Sequence, residues 1–106
     1  MEFMTGMRKQ AHLSAADLRG GAHLNQTVTV HGAVHALRSM GAITFLTLRL
    51  RDGALQCVVE DQTQLKGVVQ ECTAVVTGTL SADERAPMGV ELRVEHIEVL
   101  TVPAQP

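Results

Sequence analysis

Phe45 and Gln56 are the residues on which chemistry can be built. The 106-residue chain has no Trp and no Tyr, and one of its two Phe, Phe3, sits in a ragged leader. The other, Phe45, lies in "ITFLTLRLRDGALQCVV", residues 43–59. A Phe held outward on a strand is a platform on which a nucleobase gains about 1–3 kcal/mol, whichever base it is. A Gln carries one acceptor and two donors, so an amide beside the platform can pair with the edge of the base. Uracil presents acceptor, donor, acceptor, and an amide side chain matches two of these at once. Arg38 and Arg49 could hold phosphates or stack. The alternative for Phe45 is plain packing, as the cap of an outer cluster with Ile43 and Val58.

Which reading holds depends on how the strands face. In "ITFLTLRL", Leu46, Leu48 and Leu50 share one parity, and Ile43, Phe45, Thr47 and Arg49 the other. "RDG" makes a turn, with Gly53 expected at positive φ. In "ALQCVVE", Leu55, Cys57 and Val59 share one face, and Gln56, Val58 and Glu60 the other. Matching apolar face to apolar face puts Phe45, Thr47, Arg49 and Gln56 on one outer surface.

The flanking segments supply the rest of a small fold. "LSAADLRGGAHL" reads as a short helix, capped by Ser14 and stopped by Gly20-Gly21. "QTVTVHGAVH" alternates, with Val28, Val30 and Val34 on one face and Thr27, Thr29, His31 and His35 on the other; Gly32 marks a bulge or sharp coil. "ALRSMG" reads as a turn. "DQTQLKGVVQE" fits a short helix capped by Asp61, with Leu65, Val68 and Val69 as its apolar stripe. "CTAVVTGTL" is a fourth strand, and "SADERAPMG" a polar loop. In the fifth, "VELRVEHIEVL", the apolar parity switches between Val94 and Ile97, which predicts a bulge near Glu95-His96.

Five strands, a short N-terminal helix and a helix between the third and fourth strands make an all-β, five-stranded Greek-key OB-fold barrel, whose second and third strands and flanking loops form the nucleic-acid face. Residues 1–10 read as a tag-like leader, 11–102 as the domain and 103–106 as a tail.

Composition narrows the function. Cys57 and Cys72 sit in apolar or helical stretches and read as thiols of a reducing cytosol, and no signal peptide or membrane span is visible. Net charge is −2, which argues against an indiscriminate polyanion binder. The cations Arg8, Lys9, Arg19, Arg38, Arg49 and Arg51 crowd the first half, so a polyanion would meet that half. No phosphate loop, CxxC pair, HExxH or GxSxG occurs. His31 and His35 lack a third ligand. Neither an enzyme, a metal nor a cofactor is expected.

"VTVHGAVHALRSMGAITFLTLRLRDGALQCVV" resembles the N-terminal anticodon-binding domain of class IIb aminoacyl-tRNA synthetases, most of all the aspartyl enzymes of archaeal, non-discriminating type. The family steps Gly-Trp-Val, Arg, Gly, Phe, Leu-Arg-Asp, Gly and Gln-Val-Val appear as Gly32-Ala33-Val34, Arg38, Gly41, Phe45, Leu48-Arg49-Leu50, Gly53 and Gln56-Cys57-Val58. The later "ECTAVVTGTLSADERAPMGVELRVEHIEVL" also resembles the family, and the match spans about residues 13–106. The resemblance implies that Phe45 stacks on the central anticodon base, a uracil, and that Gln56 bonds its edge. It implies that Glu91 meets the anticodon and Arg38 the anticodon loop. Ala33 stands for an aromatic and Leu50 for an Asp, changes expected to weaken packing and to loosen the hairpin or alter a contact. The resemblance covers none of the family's catalytic domain, and "VPAQP" resembles the start of the hinge to it, so an excised domain, a truncated synthetase relative or a stand-alone paralogue is expected.

The partner expected is therefore tRNA or single-stranded RNA, in the cytoplasm and away from membranes. The competing expectation is a protein-interaction module that docks a synthetase, an amidotransferase or a second copy of itself; a single-stranded DNA binder comes third.

Overall fold

The computed structural model describes residues 15–19 and 23–102. The expected leader, the Ser14 cap, the Gly20-Gly21 stop and the 103–106 tail lie outside the described residues. Helix α1 (Ala15–Arg19) is followed by β1 (Thr27–Met40), β2 (Ile43–Leu50), β3 (Gly53–Val59), a 3-10 turn (Gln62–Leu65), β4 (Thr73–Ala82) and β5 (Val90–Thr101). The strands close into a barrel in the order β1-β2-β3-β5-β4. Neighbours pair antiparallel except β3 and β5, which run parallel over Gln56–Val58. This is the expected OB-fold.

Alternation sets the inside. Leu46 and Leu48 are fully buried and Leu50 nearly so. They face Cys57, Leu55 and Gly53 across the β2–β3 ladder, the register that the leucine parity implies. Val28, Val30 and Val34 of β1, Ala74, Val76 and Leu80 of β4, and Leu92 of β5 complete the core. Ala15 and Leu18 of α1 are fully buried in it. The amides of Ala15 and Ala16 donate to the Asp52 carboxylate at 2.8 and 3.2 Å, so the β2–β3 turn caps α1 from outside its own segment. Leu50, in place of the family's Asp, is itself core.

Three local expectations are corrected. Residues 36–40 are strand rather than turn, because β1 passes a bulge at His35 and then pairs residue by residue with β2 as far as Met40↔Ile43. The helix expected over 61–71 is only a four-residue 3-10 turn. Asp61 caps it as expected, but Lys66 is already extended at ψ 122° and Gly67 follows at φ 82°, a turn closed by the Val68 amide on the Leu65 carbonyl at 2.9 Å, with Val68 buried and Val69 exposed. Gly53 is an ordinary strand residue opposite Leu50, and the described glycines at positive φ are Gly41, Gly67 and Gly89. The bulge near Glu95 is present: Thr77 pairs with His96 and Gly78 with Val94.

Gly32 has a steric reason to be glycine. A Cβ there would lie 2.5 Å from the Arg49 carbonyl oxygen and 3.1 Å from the Leu48 side chain. β1 crosses β2 too closely at this point for any side chain.

Candidate nucleic-acid interface

The ladders carry the outer side chains into two rows. Arg38 stands opposite Phe45, Phe45 opposite Val58, and Val58 opposite Arg93. One pleat away, Ala36 stands opposite Thr47, Thr47 opposite Gln56, and Gln56 opposite Glu91. Directly opposed side chains on one face are neighbours. The first row thus sets a cation beside a half-buried ring, and the second sets an amide beside a carboxylate.

Between the β1–β2 hairpin and the β4–β5 loop lies an open groove of about 410 Å³. Arg38 and Met40 form one wall, Phe45 and Gln56 the floor, and Asp83 and Arg85 the other wall. Arg38 is exposed and has no ion-pair partner among the described residues, whereas Arg85 lies 3.5 Å from Asp83.

Gln56 is held by its neighbour. Its Nε2 donates to Glu91 Oε1 at 3.3 Å. An ionised carboxylate only accepts, so this contact points the NH₂ end at Glu91 and leaves Oε1 and the second N–H for a ligand. Burial raises the Glu91 pKa, and the hydrogen bond and charge of Asp83 raise it further; Gln56 and Arg93 pull the other way. Asp83 shifts down, chiefly because it accepts the Arg85 amide at 2.9 Å. The two neighbouring carboxyls are thus shifted in opposite directions.

Of the residues proposed from sequence, Arg38, Phe45 and Gln56 meet at this groove, and Glu91 reaches it through Gln56. Arg49 does not. Four residues along β2 from Phe45, about 13 Å at strand rise, it borders a separate hollow with His35 and Arg51. Its guanidinium donates to Glu71 Oε1 at 3.0 Å and lies 3.3 Å from His35 Nδ1. Glu71 is held there by a left-handed backbone, φ 71°, and by its backbone N–H, which donates to the Val34 carbonyl at 2.6 Å. Met40, Asp83 and Arg85 line the groove without having been singled out as site residues. The available signal was that loops flanking the second and third strands of this fold border its binding face.

Among the described residues no group of His, Cys, Asp and Glu could hold a metal ion. No described helix is long and apolar enough to cross a membrane.

Solved structures share this barrel. Asparaginyl-tRNA synthetase from Pyrococcus horikoshii, complexed with asparaginyl-adenylate, superposes with TM-score 0.76 at 28% identity over 88% of this chain and 23% of that one. Aspartyl-tRNA synthetase from Entamoeba histolytica gives 0.75 at 24% identity, over 92% of this chain and 23% of that one. The OBody AM1L10, solved bound to hen egg-white lysozyme, gives 0.71 at 20% identity over 85% of this chain and 93% of that one, a likeness of fold alone. This chain thus spans less than a quarter of the two synthetase chains. Residues 28–100, well over half of the sequence, match the tRNA anti-codon family, and the chain belongs to this family of OB-fold nucleic acid binding domains.

Proposed function

We propose that the barrel binds tRNA at the anticodon loop, stacking a central uracil on Phe45 and pairing its edge with Gln56. In this reading it is the non-catalytic, anticodon-reading part of an aspartyl- or asparaginyl-type synthetase, or a relative of that part, working in the cytoplasm. The observation that carries the reading is the outward row Arg38–Phe45 beside the row Gln56–Glu91, with the leucines of the same strands inside.

The chemistry follows from that placement. The base lies on the ring, and the ring's attraction is indifferent to base identity. Discrimination falls to the amide: Oε1 accepts the uracil N3–H while the free N–H of Nε2 donates to a uracil carbonyl oxygen. Cytosine offers an acceptor at N3, so the same amide position meets acceptor with acceptor. Arg38, beside the ring, neutralises a phosphate or stacks on the base. Arg49, already paired with Glu71, contributes less.

The test is titration of a labelled anticodon stem-loop with a central uracil, repeated with cytosine at that position. Uracil should bind tighter, and Phe45→Ala should weaken it by about 1–3 kcal/mol, roughly five- to 150-fold. Equal affinities for wild type and variant would overturn the reading.

A further inference from the structure

Phe45 sits on a hairpin whose tip is fastened by a side chain from outside it. Gln62, in the 3-10 turn after β3, accepts the Thr44 hydroxyl at its Oε1, 3.0 Å away. Its Nε2 donates to the Ala42 carbonyl at 2.9 Å and to the Val59 carbonyl at 3.4 Å. One amide therefore ties together the β1–β2 turn, the residue preceding Phe45 and the end of β3. Two backbone carbonyls can only accept, so the amide has one possible orientation, with both N–H groups engaged and Oε1 accepting from Thr44. Thr44 is the buried polar residue of the described chain, at 2% exposure, and its other side-chain neighbour is Ser39 Oγ at 3.5 Å. The turn that carries Gln62 is itself anchored, since Asp61 accepts from the Thr63 amide at 3.0 Å and Gln64 Oε1 accepts the Ile97 amide of β5 at 3.2 Å.

Resting on the reading of Phe45 as the base platform, we propose that Gln62 is a positioning residue for RNA recognition. It fixes the height and tilt of the β1–β2 tip, and hence of Phe45 and Arg38 opposite it, relative to Gln56 on β3. The hairpin tip is a two-residue turn, Gly41–Ala42, with no described side chain other than Gln62 bonded to its backbone. Without the amide, β2 would stay paired with β3, but the tip would lose its tie to the segment that follows β3. Stacking and edge pairing need ring and amide in a fixed mutual geometry, so a small tilt penalises discrimination more than stability.

The experiment is a double-mutant cycle on binding of the uracil and cytosine stem-loops, with Gln62→Ala, Phe45→Ala and both. Gln62→Ala should weaken uracil binding about fivefold and bring the two affinities together, and Phe45→Ala/Gln62→Ala should bind no more weakly than Phe45→Ala. Gln62→Asn, which keeps an amide one methylene short, should restore part of the discrimination. Independent effects that multiply, or an unchanged uracil preference in Gln62→Ala, would overturn the proposal. A second readout separates this from failure of the RNA reading itself. The ring resonances of Phe45 in the free protein should shift in Gln62→Ala while those of core methyls such as Leu55 stay put. If they do not move, Gln62 positions nothing, whatever RNA does; if they move but Phe45→Ala binds RNA like wild type, the RNA reading fails and Gln62 has no role in recognition.

Discussion

Gln56 Nε2 donates to Glu91 Oε1 at 3.3 Å across a parallel ladder only three residue pairs long. That bond joins the third strand to the fifth and fixes the direction in which the Gln56 amide points. Glu91→Gln replaces an acceptor-only partner with one that both donates and accepts, so the Gln56 amide gains a second orientation. The variant should keep the affinity of wild type for the uracil loop within about twofold, since an anionic neighbour of RNA is also removed, but it should lose preference over cytosine. Fluorescence anisotropy with the two loops checks this; a preserved preference would detach Glu91 from base choice.

The same carboxyl has a stability signature. Its folded pKa lies above the ordinary glutamate value of 4.5, through burial first and then Asp83. A raised carboxyl favours the folded state while protonated, so its contribution is full below the ordinary value and is lost as pH climbs through the raised one. Asp83, shifted down, does the opposite: its contribution is present above the ordinary aspartate value and is lost as pH falls through the lowered one. Thermal melts between the acid range and neutrality should therefore show Glu91→Gln relieving a loss on the rising-pH side. Asp83→Asn should flatten the acid side.

Arg38 and Arg49 should part company in salt. Arg38 is without an ion pair among the described residues, while Arg49 donates to Glu71 at 3.0 Å. Arg38→Ala should reduce the slope of log affinity against log salt by about 0.7, the value for one contact to a single strand. Arg49→Ala should change it by less than half as much. Equal reductions would mean that the Glu71 pair opens on binding.

Gly32→Ala should destabilise the barrel by about 1–3 kcal/mol, since the atom in the way is a backbone carbonyl rather than a movable side-chain end. Urea denaturation reads the loss directly. Gly78→Ala, whose Cβ would run into the Arg93 carbonyl, should behave alike.

The outer face was legible because strand parity is local. Leu46, Leu48 and Leu50 dictate that Phe45 and Thr47 point the other way, and matching apolar faces gave the β2–β3 register. The bulge at Glu95 was legible for the same reason. What parity could not show was distant pairing. Nothing near Arg49 in sequence reveals that Glu71 and His35 meet it. The contact of Gln56 with Glu91 follows from closure of the barrel rather than from either strand alone. The segment after β3 misled because Leu65, Val68 and Val69 mimic a helical stripe, although Gly67 breaks it. Residues 36–40 misled because Ser39-Met40-Gly41 looks like a turn, whereas only Gly41–Ala42 turns.

The most direct measurement is isotope-edited NMR of the protein with the uracil stem-loop. The chain has two Phe and no Tyr or Trp, so selective labelling of Phe leaves only the rings of Phe3 and Phe45, and loss of signals in Phe45→Ala assigns the second. The account predicts cross-relaxation between the Phe45 ring and H5 and H6 of the central uracil, with both base protons moved upfield by the ring. Saturated binding with no contact to that ring, and with the perturbed resonances elsewhere on the barrel, would contradict it.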